Sequence, residues 1–149
     1  MNSTELKRPR RLTFILIANI LIGTLTTLAL FFLTFMVELD GNSLVNTVFA
    51  GAGGAVSLFL VVASIMVFML KPNGPKYLLA SVVVFYGVLA LQSVFSLFSG
   101  GLEQQAIFEV IIGIFRNIIT IALNFWAVLS EPSRQYLIAA YARAREAKI

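Results

Sequence analysis

The sequence predicts an all-α membrane protein: four antiparallel transmembrane helices followed by a short amphipathic C-terminal helix. Three observations carry that prediction. Hydrophobic residues make up 59% of the chain and charged residues only 12%, against about 25% charged in an ordinary soluble domain. A body of 149 residues cannot hide so much apolar surface from water. The apolar residues also fall into four runs, each reaching the roughly 20 residues that a helix needs to cross a hydrocarbon core of about 30 Å.

Residues 1–11 form a basic tail containing Lys7, Arg8, Arg10 and Arg11. The first apolar run, about 12–37, is far longer than the 7–15 residues of a secretory signal and lacks a small-residue cleavage site, so it reads as a retained signal anchor. Asn19, Gly23, Thr26, Thr27 and Thr34 recur near multiples of 3.6 and mark one small and polar stripe along it. The polar turn Glu38–Ser43 separates it from the second run, about 44–70, whose own stripe holds Asn46, Ala50, Gly53, Gly54, Ser57 and Ser64. Such stripes let helices approach closely and hydrogen-bond in lipid, so Asn19, Gly23, Gly53, Gly54 and Ser57 are expected to pack helices. The glycines at 51, 53 and 54 resemble a phosphate loop in composition only, because the Lys-Ser/Thr that such a loop requires is missing.

Lys71-Pro72-Asn73-Gly74-Pro75-Lys76 stacks turn formers between two cations. The third run, about 77–98, contains the strand-like Ser81-Val82-Val83-Val84-Phe85, but it is too long for a barrel strand of about 10 residues and lacks alternation. Its polar residues are Ser81, Gln92, Ser96 and Ser99. After Gly100-Gly101 comes the fourth run, about 106–129. Here Glu109, Gly113, Arg116, Asn117, Thr120 and Asn124 follow at spacings of three and four, a stripe that includes two charges. Arg116 falls near the bilayer midplane, where an arginine costs about 2.5–3.5 kcal/mol on insertion scales and marks a functional site by default. The stripe of Glu109, Arg116, Asn117 and Asn124, with Gln92 as a bridging neighbour, is therefore the candidate site. It reads as a structural charge pair, as a contact for another membrane protein or a second copy, or as the lining of a solute pathway.

The segment 130–149 begins Ser-Glu-Pro-Ser, a helix start in which Ser130 caps and Pro132 suits the first turn. Tyr136, Leu137, Ala140, Tyr141 and Ala144 share one face, flanked by Arg134 and Arg145, with Arg143 and Lys148 elsewhere. This helix reads as lying on anionic lipid or as docking a cytoplasmic partner.

Orientation follows from the cations. Of eleven Lys and Arg, all but Arg116 sit in the N-terminal tail, the second connection or the C-terminal segment, while the first and third connections carry only Glu38, Asp40 and Glu103. The positive-inside rule then places both termini in the cytoplasm of a bacterial-type inner (plasma) membrane, with Lys7, Arg8, Arg10, Arg11, Arg143 and Arg145 at the lipid surface. The excess charge is explained by the bilayer rather than by nucleic acid. With neither Cys nor His in the chain, disulfides, thiol nucleophiles and histidine chemistry are excluded, and no metal site, cofactor or enzymatic activity is expected. The expected role is lateral contact with another membrane protein or with itself as a homo-oligomer, in the manner of an accessory subunit or an immunity-type protein. The alternative is a small oligomeric transporter or channel for a polar solute or ion, although Arg116 would oppose a simple cation path.

Overall fold

The structure, a computed structural model, describes residues 7–39, 44–98 and 104–146, with side chains described for 7–32, 51–94, 107–144 and 146. Its elements are α1 (Arg10–Leu39), α2 (Leu44–Phe68), α3 (Gly74–Phe98), α4 (Gln104–Leu129) and α5 (Glu131–Glu146). The first four are long and apolar enough to cross a membrane, and the chain is an all-helical, multi-pass membrane protein. The side chains of Thr34, Glu38, Asp40, Asn46, Ser96, Ser99, Glu103, Arg145 and Lys148 lie outside the described residues.

Side-chain pairs show the antiparallel course directly. Gly23 faces Val61, Thr27 faces Ser57 and Leu30 faces Gly53, so α2 retreats as α1 advances. Contact is extensive between α1 and α2, between α2 and α3, and between α3 and α4, but α1 meets α4 only briefly. The described core gathers toward the end of the bundle that carries the two tails: Leu12, Leu16, Leu60, Val67, Leu78, Val82 and Val128 are buried, and Leu137 of α5 joins them. Large apolar side chains such as Phe14, Leu25, Phe31, Leu91, Phe108 and Phe115 stand exposed around the bundle, the surface a bilayer covers.

The turn between α2 and α3 is tighter than the sequence suggests. Leu70 N–H donates to Val67 O at 3.1 Å and Lys71 N–H to Met66 O at 2.8 Å, a Schellman closure with Leu70 in the left-handed conformation at φ 55°. Glycine usually fills that position, and a leucine there costs about 1–2 kcal/mol. The half-buried Leu70 side chain offsets this by packing against the core. Asn73, at φ 61°, tolerates the same conformation more easily. α3 therefore starts at Gly74, three residues before the expected Tyr77, because Pro75 fits a helix's first turn. A Cβ on Gly74 would lie 3.1 Å from backbone atoms of Met66 and Val67, so glycine permits the close start.

Ser130 alone separates α4 from α5. Its carbonyl accepts from the Ser133 and Arg134 N–H groups, each at 2.9 Å, and its hydroxyl lies 3.1 Å from Ser133 Oγ. The apolar stripe of α5 turns inward: Leu137 and Ala140 are buried, and Tyr136, Tyr141 and Ala144 are half-buried beside the α2–α3 turn. The chain thus covers most of that stripe itself, leaving Ile138 exposed.

Candidate functional site

The α4 stripe divides into two faces. Asn117 and Asn124 are buried, Gly113 and Thr120 are half-buried, and Glu109 and Arg116 are exposed. One residue of offset, about 100° around a helix, separates Arg116 from Asn117 and turns it from the bundle toward lipid. Arg116 lies about 18 Å along the axis from Gln104 and about 20 Å from Leu129, at mid-depth of the span. Glu109 is two turns away, about 10 Å, beyond the reach of an ion pair. Among the described residues neither charge forms one. Gln92 does not bridge them. It lines a cavity of about 70 Å³ with Thr26, Leu30, Gly53 and Phe85, where α1, α2 and α3 meet.

The buried face holds a polar clasp. Asn19 Nδ2 donates to Asn124 Oδ1 at 2.6 Å, and Asn124 Nδ2 donates to Thr120 O at 2.9 Å. This links α1 to α4 where they otherwise scarcely touch. Between α1 and α2, Thr27 Oγ1 lies 2.7 Å from Ser57 Oγ, and either hydroxyl can donate. Their other hydrogen-bond contacts are the carbonyls of Gly23 and Gly54, at 2.8 and 2.9 Å. Gly23 is the tightest point of that interface, since a Cβ there would lie 2.6 Å from Val61 Cγ2 and 3.0 Å from Ser57 O. At Gly53 a Cβ would approach only the flexible tip of Leu30, and at Gly54 it would meet nothing within 4 Å.

The basic residues separate in the same way. Lys7, Arg10, Arg11 and Arg143 are exposed. Arg8 is instead a structural link: its Nη2 donates to Phe68 O at 2.7 Å and its Nε to the Tyr136 hydroxyl at 3.3 Å. Its guanidinium covers the Phe68 ring at 4.2 Å. It caps a carbonyl at the C-terminus of α2, where the helix dipole favours a cation, and ties α5 to the bundle.

Sequence reasoning missed both the Asn19–Asn124 partnership and the Arg8 link. Depth was the available signal for the first, because both asparagines lie one to two turns inside the membrane end that carries the tails. No local pattern distinguishes Arg8 from its basic neighbours. The Tyr86 hydroxyl, buried beside the Phe85 ring, has no hydrogen-bond partner among the described residues.

No family model matches the chain, and neither curated proteins nor solved structures give a match. The chemically distinctive element is α4. An exposed guanidinium at mid-depth can bind a carboxylate through paired hydrogen bonds, and no described group of this chain occupies it.

Proposed function

We propose that this is a protein of a bacterial-type inner (plasma) membrane, with both termini cytoplasmic, that acts without catalysis by lateral contact with another membrane protein. The exposed Arg116 carries this reading. Left in lipid, it costs about 2.5–3.5 kcal/mol or more, and a carboxylate brought by a partner would relieve that cost. A second copy could not supply one easily. Copies inserted the same way and related about the membrane normal hold Arg116 level with Arg116, while Glu109 stays about 10 Å away along the axis. The favoured partner is therefore a different helix with an acidic side chain at mid-depth, as an accessory or immunity-type protein would meet. A solute path through one bundle has less support: among the described residues, the cavity where α1, α2 and α3 meet holds about 70 Å³.

The test is purification of the tagged protein in mild detergent, followed by mass-spectrometric identification of what accompanies it. Arg116→Leu should lose the partner while retaining helicity and thermal stability, and Arg116→Lys should retain part of it. A partner held equally by Arg116→Leu, or a substitution that changes stability alone, would overturn the reading. A reporter fused to the C-terminus and active only outside the cytoplasm should stay silent if the orientation is right.

A further inference from the structure

The brief meeting of α1 and α4 leaves a groove of about 360 Å³ between the start of one helix and the end of the other. Phe14, Ile15, Leu123 and Trp126 give it apolar walls, and Arg10 and Arg11 stand at its rim. Both arginines are exposed, and among the described residues no acidic side chain lines the groove. The Arg11 guanidinium rests over the Trp126 ring at 4.5 Å, which orients its planar face and leaves its edge donors free to meet an anion. Trp126, about half exposed, sits in the last turn of α4, where tryptophans mark the membrane–water interface.

We propose that this groove binds one anionic phospholipid. An acyl chain lies against Phe14, Ile15, Leu123 and Trp126, and the phosphate meets Arg10 and Arg11. Charge selects the class of lipid. Two exposed guanidiniums favour a headgroup with net negative charge over a zwitterionic one. The groove lies at the membrane end of α1 and α4, apart from Arg116, so lipid binding and lateral contact can succeed or fail separately.

Native mass spectrometry of the detergent-solubilised full chain, titrated with phosphatidylglycerol or with phosphatidylcholine of identical acyl chains, tests the site. The expected result is stronger retention of phosphatidylglycerol. Each of Arg10→Gln and Arg11→Gln should weaken that preference about fivefold. Trp126→Ala should weaken both lipids by removing part of the chain's wall. Lys76→Gln removes an exposed cation outside the groove and should leave the preference intact. Equal retention of the two lipids, or an equal loss of preference in Lys76→Gln, would overturn the proposal. Circular dichroism and gel filtration of each variant identify any that misfold; if both arginine variants do, Arg10→Lys and Arg11→Lys should keep the preference, and its loss in these folded variants would also count against the site.

Discussion

Replacing Arg8 by alanine should release α5 from the bundle while leaving the four spans in place. The side chain donates to Phe68 O at 2.7 Å, contacts the Tyr136 hydroxyl at 3.3 Å and covers the Phe68 ring at 4.2 Å. A charge-assisted hydrogen bond contributes about 1.5–3 kcal/mol and an exposed cation–π contact about 0.5–1 kcal/mol. Only the Tyr136 contacts reach α5, the hydrogen bond at 3.3 Å and the guanidinium over its ring at 5.8 Å; both are long, so the lower ends apply and the loss is about 2 kcal/mol. That is a roughly 30-fold change in the ratio of docked to undocked α5. Hydrogen exchange in nanodiscs reads it directly: amides within Glu131–Glu146 should exchange about 30-fold faster, while those inside α2 and α3 keep their rates. Tyr136→Phe removes the hydrogen bond to α5 but keeps the ring beneath the guanidinium, and should have a smaller effect. Exchange in α5 within about threefold of the parent would refute the reasoning. So would acceleration spread evenly over the bundle, which would make Arg8 a general membrane anchor.

Three further outcomes are expected. Asn19→Leu strands the Asn124 amide oxygen and should lower stability by about 1–2 kcal/mol, while Asn19→Leu with Asn124→Leu should recover most of it; unfolding in detergent compares the three proteins. Gly23→Ala should cost about 1–3 kcal/mol in the same assay because Ser57 O is backbone and cannot move aside freely, whereas Gly54→Ala meets open space and should be neutral. Burial, and secondarily the neighbouring Tyr136, raise the Tyr141 pKa above 10.0. The unfolded chain then loses that proton first, so stability should fall as pH rises from about 10 toward the folded value. Absorbance of tyrosinate should show Tyr141→Phe removing a tyrosine that titrates above the usual range.

The helix number and type were legible because apolar length in lipid leaves little choice: each of the four long runs must satisfy its own backbone. The short polar connections made antiparallel neighbours equally plain. The division of α4 was less visible. Glu109, Arg116, Asn117 and Asn124 share a broad stripe, and a 100° step decides which of them enter the bundle. That decision depends on where α1 and α3 sit, which periodicity within α4 does not contain. Arg8 was harder still. Its role depends on the end of α2 and the second turn of α5 arriving at the same place, 60 and 128 residues away in the chain.

The Asn19–Asn124 clasp has a consequence for register. Apolar side chains slide past one another in lipid with little penalty, since leucine against leucine resembles leucine against a lipid tail. A pair of amides does not tolerate sliding. Moving α1 by one helical turn, about 5.4 Å, would carry Asn19 beyond reach of Asn124 and place a bare amide in hydrocarbon. Few other contacts span that seam. The clasp therefore works as an index mark between the first and last spans, fixing how far one stands beside the other, a role that a melting temperature alone would under-report.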